Sequence, residues 1–248
     1  MPPSAAPAMY RATVLARLPH PARGFTQGLV ADGGTIWEST GMYGESALRR
    51  YRIGAEQEDE SAAVPAEFFA EGICLADGHI WQLTWRERVA LRWRPGPLTL
   101  VATVPYNREG WGICSLGGSV MTSDGSSELV RRDPATLEPI DVVVVHCAGQ
   151  RITGLNDLTW SGGLVWANVL SRPFLAGIDP ASGQVTAIAD ARKSDERHWG
   201  DPQAVMNGIA ALPGSREFLL TGKTWRHSYH VRLTPGRPHR DPARLLTG

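Results

Sequence analysis

The chain has no charge to spare: 25 Lys and Arg residues balance 25 Asp and Glu residues. A nucleic-acid binder, or a protein that docks on anionic lipid, carries a basic excess, so neither class of partner is expected. Cysteine is scarce. Cys74, Cys114 and Cys147 are odd in number and none sits in a CxxC pair, so they cannot close a disulfide framework and read as buried free thiols. No run approaches the ~18 apolar residues of a spanning helix. The N-terminal MPPSAAPAMYRATVLARL lacks the basic-then-apolar layout of a signal peptide. That leaves the compartment open: cytoplasmic as the chain stands, periplasmic or secreted if a leader was removed. Helical periodicity is also missing from any window longer than about ten residues, so helices are minor.

Several chemical signatures are absent too. GKT at 222–224 is not a phosphate loop, because Glu217 stands where that motif needs its first Gly and the preceding segment reads as a hairpin. His227 and His230, three apart in a strand, face opposite sides and cannot clamp one metal. The other histidines are scattered, and there is neither a GxSxG elbow nor a zinc-spaced set.

What the chain does hold is turns and tryptophan. Gly and Pro number 27 and 18, and nine Trp outnumber five Tyr and five Phe. With 42% apolar residues a sizeable core is available, which excludes a disordered chain. Five segments share one pattern, an apolar run, a Gly/Asp turn and a second apolar run: QGLVADGGTIW (27–37), EGICLADGHIW (71–81), WGICSLGGSVM (111–121), NDLTWSGGLVW (156–166) and NGIAALPGSREFL (207–219). Their last residues, 37, 81, 121, 166 and 219, lie 44, 40, 45 and 53 apart. A period of roughly 40–50 residues carrying hairpins is that of propeller blades. Further strand-like runs follow each segment, so the chain reads as an all-β, five-bladed β-propeller with four-stranded antiparallel blades. YRATVLARL near the start is expected to pair with HSYHVRL near the end, closing the ring without a free edge. One domain, 1–248, is expected, with flexible ends at 1–9 and 240–248. The acidic stretch 52–65 reads as a solvated connection and 190–206 as a loop insertion with a helical turn. Neutral charge and self-closed blades make a monomer the expectation.

In such a ring the innermost strands face one another across the axis. The first position of each repeat is Gln27, Glu71, Trp111, Asn156 and Asn207, none aliphatic, although their neighbours are. Polar groups at one level of an axis are costly unless they meet water or a ligand. Four residues beyond the anchors at 81 and 219 stand Trp85 and Lys223. One mouth therefore collects a carboxylate, amides, an ammonium and Trp side chains, which is the composition of a ligand site. Trp37, Trp81, Trp93 and Trp160 read as blade packing; Trp166 aligns with Trp37 and Trp81 and fits either class.

In chain order, FTQGL (25–29), ESTGMYGESALR (38–49), EGICLADGHIWQLTW (71–85), EGWGI (109–113), SDGSSEL (123–129), NDLTW (156–160), VWANV (165–169), IDPASGQV (178–185) and NGIA…LLTGKTW (207–225) resemble the motifs of the metal-free glutaminyl-peptide cyclotransferases of plants and bacteria. The resemblance spans residues 10 to 232. It implies a five-bladed propeller, no cofactor and no metal, peptides with N-terminal glutamine as partners, and conversion of that glutamine to pyroglutamate with release of ammonia. It makes Glu71 the general acid/base and Gln27, Asn156 and Lys223 polar substrate contacts. Trp85, Trp111 and Trp166 become an aromatic wall, with Phe25 and Thr26 beside them. Glu38 fits equally a supporting role or the framework, and Asn207 either a substrate contact or satisfaction of backbone groups at the axis. Asp157 and Thr159 stand where the family carries Glu more often, and EFFAEGI replaces its FGEGI.

Chemically, Glu71 among Trp side chains is desolvated, which raises a carboxyl pKa toward neutrality, while Lys223 pulls the other way. Asn156 and Lys223 are candidate donors for a developing oxyanion. Two rivals use the same frame. A calcium-dependent lactonase-type propeller would draw oxygen ligands from Glu71, Asn156 and Asn207, although the Lys223 ammonium opposes a cation. A non-catalytic peptide-binding propeller would bind without turnover.

Overall fold

The computed structural model describes residues 6–22, 24–195, 203–213 and 216–247. After β1 (Ala8–Pro19) comes a run of four antiparallel strands, β2 (Phe25–Asp32), β3 (Thr35–Gly41), β4 (Ala47–Arg52) and β5 (Glu60–Ala63). A second run is β6 (Ala70–Ala76), β7 (His79–Thr84), β8 (Val89–Pro95) and β9 (Leu98–Pro105). The third is β10 (Ile113–Ser115), β11 (Val120–Ser123), β12 (Glu128–Arg132) and β13 (Pro139–Val144), followed by a two-residue hairpin, β14 (His146–Cys147) and β15 (Gln150–Arg151). β16 (Leu155–Ser161), β17 (Leu164–Val169), β18 (Phe174–Ile178) and β19 (Val185–Asp190) form the fourth run. β20 (Met206–Ala211), β21 (Glu217–Gly222) and β22 (His227–Pro235) complete the strands.

The fold is therefore all-β, and mostly four-stranded, but one sheet is larger than expected. Its eight strands run β16-β17-β18-β19-β1-β22-β21-β20. β1 pairs antiparallel with β22 from Tyr10↔Pro235 to Pro19↔His227, so the two ends of the chain do share a ladder. The first residues of the 12-residue β1 run on past β22 and add a parallel pairing to β19, Ala8↔Ala187 through Arg11↔Asp190. That extra length stitches the fourth run to the last.

The first strands of the runs touch in a circuit: β2 meets β6, β6 meets β10, β10 meets β16, β16 meets β20, and β20 meets β2. The residue after each repeat's first position explains how backbones come this close. A Cβ on Gly28 would lie 2.6 Å from the Ile73 nitrogen, and one on Gly72 would lie 2.6 Å from the Trp111 carbonyl oxygen. Only hydrogen fits there. The fourth repeat has Asp157 instead, and its Oδ2 accepts from the Leu29 nitrogen (3.2 Å) and the Ile209 nitrogen (2.8 Å). Burial pushes the Asp157 carboxyl well above the usual carboxylate range, against the pull of the Ile209, Leu158 and Leu29 N–H groups.

Apolar side chains pack between neighbouring runs. Trp37 and Leu48 meet Leu91 and Trp93, and Trp81 and Leu83 meet Ile113 and Val120. Trp160 packs against the cluster around Leu158 and Met121. All three cysteines are buried and unpaired, as expected. Where 240–248 was expected to be a tail, Pro242–Thr247 forms a short helix, α1. Its Ala243 and Leu246 are buried in the core of the third and fourth runs, a docking that two apolar residues three apart permit. Arg192–Ser194 is one 3-10 turn of the 190–206 insertion; positions 196–202 of that insertion, like 1–5 of the expected N-terminal tail 1–9, lie outside the described residues, and Ala8 and Met9 of that tail already pair with β19 as the start of β1.

Candidate active site

The side chains of the repeats' first positions are delivered by one recurring irregularity. The ladder shifts register between Thr26 and Gly28, Ala70 and Ile73, Leu155 and Leu158, and Met206 and Ile209. Each shift is a bulge containing Gln27, Glu71, Asn156 or Asn207, and a bulge re-aims the side chain it holds. β10 begins only at Ile113, leaving Trp111 and Gly112 just ahead of the ladder.

These residues surround a cavity of about 330 Å³ lined by Phe25, Gln27, Met42, Phe69, Glu71, Trp85, Trp111, Asn156, Leu170, Gln203 and Lys223. The walls are aromatic. Phe69 stands edge-on to Phe25 (6.2 Å between ring centres) and lies 5.5 Å from Trp85. The Trp111 ring covers Gly125, where a Cβ would lie 2.6 Å from it, and its Nε1 donates to Glu109 Oε2 at 3.3 Å. Arg86 covers Trp85 from 3.7 Å. Each wall is thus held before any ligand enters.

The polar groups are nearly dry. Glu71 is 5% exposed and Asn156 3%. Burial pushes the Glu71 carboxyl well above the ordinary value of 4.5; Lys223 opposes this, and Asp157, Glu87 and Glu109 add to it. Lys223 is shifted down, by burial first, with Glu71 opposing. Both shifts run toward the uncharged form of each group, the direction that eases a proton transfer. The Lys223 ammonium also lies 4.5 Å from the Phe25 ring centre, a cation–π contact. Its turn is tied down by three backbone bonds: Lys223 N–H to the Val205 carbonyl (3.0 Å), Thr224 N–H to Gly24 (2.8 Å) and Trp225 N–H to Gly222 (3.2 Å). Asn156 Oδ1 is buried without a hydrogen-bond partner among the described residues. Such an orphaned polar atom costs about 1–3 kcal/mol, and it belongs to a side chain that lines the cavity.

Four of the expected site residues stand back from this wall. Trp166 belongs to the core: it packs on Tyr10 (6.3 Å) and Phe218 (5.6 Å) between the fourth run and the final strands. Its alignment with Trp37 and Trp81 reflects the shared packing face of the second strand. Glu38 and Thr26 form a buried network instead. Glu38 accepts from Thr26 Oγ1 (2.7 Å), Tyr51 hydroxyl (2.7 Å) and His20 Nε2 (2.9 Å). His20 Nδ1 faces the Trp225 carbonyl at 2.8 Å, so both ring nitrogens have an acceptor to donate to, and the ring is read as a cation. Burial raises the Glu38 pKa, but His20's charge and the three side-chain hydrogen bonds win, holding it below 4.5. The network joins β2 to the Lys223 turn. Asn207 donates to Gln27 Oε1 (2.8 Å) and stands behind it.

The sequence reading missed Phe69, Met42, Leu170 and Gln203 on the wall, and His20 beneath it. Phe69 had a signal, lying two residues before Glu71 and hence on the same side of the strand entry. Met42 and Leu170 come from the loops that leave β3 and β17, outside the repeat.

A dry carboxyl near a lysine, with a carboxamide beside them and aromatic walls, has the composition of an enzyme's ligand site: a few converging polar groups in an apolar frame. The sequence matches the glutamine cyclotransferase family over residues 2–233, and the chain belongs to that family. It is 30% identical over 227 residues to the glutaminyl-peptide cyclotransferase of Arabidopsis thaliana, an alignment covering 89% of this chain and 70% of the relative. The crystal structure of Myxococcus xanthus glutaminyl cyclase superposes with a TM-score of 0.86 at 32% identity, covering 93% of this chain and 100% of that one.

Proposed function

We propose that this chain is a glutaminyl-peptide cyclotransferase that closes the N-terminal glutamine of peptides into pyroglutamate and releases ammonia. The observation that carries the reading is the Glu71 carboxyl, buried and raised in pKa, beside Lys223 and Asn156 in a cavity walled by Trp85, Trp111 and Phe25. The α-amine nitrogen attacks the side-chain γ-carbonyl carbon of the same residue; a C–N bond forms and the bond to the amide nitrogen breaks. Reactants already share one molecule, so the aromatic walls need only hold it in the folded, near-attack shape. Glu71 takes a proton from the attacking amine and returns it to the departing nitrogen, which leaves as ammonia. Asn156 and Lys223 supply donors to the carbonyl oxygen as its charge grows. The walls exclude the water that would otherwise hydrolyse the amide.

Metal-independence belongs to the same proposal, supported by the Lys223 ammonium, which disfavours a cation at Glu71. So does a five-bladed propeller acting as a monomer. Five runs whose first strands touch in a circuit, with a separate apolar cluster between each neighbouring pair, support it. A Gln-initiated dipeptide assayed for ammonia, with and without chelator, tests the activity. Equal release in both arms is expected. Release abolished by chelator favours the calcium-dependent rival, and binding without release favours a peptide-binding scaffold.

A further inference from the structure

The amide orientations in this site are fixed by one backbone carbonyl. Asn207 lies buried on the bulge of β20, and its Nδ2 reaches both the Thr26 carbonyl oxygen (3.1 Å) and Gln27 Oε1 (2.8 Å). A backbone carbonyl can only accept, so the Asn207 atom facing it is the NH2 group. The Gln27 atom facing that NH2 is then its oxygen. Gln27 must therefore turn its own NH2 toward Glu71, where Nε2 meets Oε1 at 2.9 Å. The order Thr26 carbonyl, Asn207, Gln27, Glu71 runs in one direction and cannot be reversed without breaking the first bond.

We infer that Asn207 is a positioning residue: acting through Gln27, it keeps an N–H donor on Glu71 Oε1 and so confines the carboxyl's exchangeable proton to Oε2. With Oε1 occupied as an acceptor, Oε2 is the atom that takes the proton from the substrate amine and returns it to the leaving nitrogen. Gln27 keeps a second N–H on the same NH2 group, on a side chain that lines the cavity. This rests on the proposed cyclisation and deepens it, naming the oxygen that works and the residue that selects it.

The donor on Oε1 also bears on titration. A hydrogen bond to the ionised carboxylate lowers its pKa, opposing burial. The other charges that act on Glu71 are Lys223 from the turn after β21, Asp157 from β16, Glu87 from the loop after β7 and Glu109 ahead of β10. All four stay in place when Asn207 is changed to Ala, which adds no charge; Asn207→Asp adds a carboxylate whose repulsion pushes the Glu71 pKa the same way. In Asn207→Asp, nearly the same in shape, the carboxylate cannot donate; Gln27 turns its NH2 toward it and presents its carbonyl to Glu71, which then favours the protonated acid.

The experiment is a pH profile of kcat and KM on a Gln-initiated peptide for wild type, Asn207→Asp, Asn207→Ala, Gln27→Met and the Gln27→Met/Asn207→Ala double variant. Asn207→Asp and Asn207→Ala are expected to lose about tenfold in kcat, with smaller changes in KM. Their acidic limb should move up by about one pH unit. In the Gln27→Met background, Asn207→Ala should change kcat little further, because its effect passes through Gln27. A merely structural Asn207 would lower thermal stability and leave the limb where it was. Full additivity in the double variant, or an unmoved limb in the uncharged Asn207→Ala, overturns the inference. Should wild type release no ammonia, the cyclisation reading falls first, and that result is distinct from either of these.

Discussion

Gly72→Ala is the smallest change that should disturb both the packing of the first strands and the chemistry. The new methyl would lie 2.6 Å from the Trp111 carbonyl oxygen, 2.7 Å from Gly112 Cα and 3.0 Å from the Ile113 nitrogen. All three are backbone atoms, so no side chain can swing away. Restoring ordinary contact at about 3.4 Å means moving β6 and the Trp111 segment apart by about 0.8 Å. The hydrogen bond from Gly72 N–H to the Trp111 carbonyl, 2.8 Å long, would then stretch past the usual limit. Overpacking costs about 1–3 kcal/mol and the lost bond about 1 kcal/mol, so about 2–4 kcal/mol in all. For a domain of this size that lowers Tm by roughly 5–15 °C. Glu71 would also move relative to the Trp111 wall, and displacement approaching 1 Å at a reacting centre costs up to about 100-fold; kcat should fall between ~10- and ~100-fold. Gly78→Ala is the control. Gly78 has φ +70° and nothing within 4 Å of an added Cβ, so the change strains the hairpin without touching the site. Its Tm should drop by a few degrees, for a strain of about 1–2 kcal/mol, with kcat/KM unchanged. Gly72→Ala with wild-type kcat/KM and an unmoved Tm would refute the close-approach argument.

Trp111→Leu should raise KM strongly with little change in Tm, whereas Trp166→Leu should destabilise by about 2–4 kcal/mol and leave KM alone; paired melts and kinetics distinguish a wall residue from a core one. Glu38→Gln leaves His20 facing a lost charge in a dry site and should cost about 3 kcal/mol near neutral pH. Because the Glu38 pKa is depressed, its contribution is present above about 4.5 and lost as pH falls through its lowered value, so denaturant titrations of variant and wild type should converge in acid. Glu71 runs the other way. With its pKa raised, the folded chain holds more protons than the unfolded one from about 4.5 up to the elevated value, so stability falls as pH rises through that window. Glu71→Gln should therefore be nearly inactive yet gain Tm over wild type as pH rises above about 4.5 toward the elevated Glu71 value.

The convergence of Gln27, Glu71, Asn156, Trp85, Trp111 and Lys223 on one cavity was legible because the repeat carries register, and register fixes which strand positions share a face. Depth was not legible. Asn207 occupies the same column as Gln27 yet donates to it from behind, since a bulge sets how far a side chain reaches and no spacing encodes that. Trp166 was ambiguous for a related reason: it shares its column with two packing tryptophans, and the column is a packing face. Glu38 read as either supporting or structural, because its partner His20 lies 18 residues away on another segment and no local pattern links them. The parallel β1–β19 pairing and the docking of α1 depended on strand overhang and on two apolar residues near the C-terminus, too short a signal to separate from a tail.

The proposed chemistry closes a lactam and does not merely hydrolyse an amide. Mass spectrometry of a Gln-initiated peptide after incubation with the enzyme decides it. A product lighter by one ammonia is expected, formed by wild type and not by Glu71→Gln. A product in which the glutamine amide has become a glutamate acid, or an unchanged peptide, would contradict it.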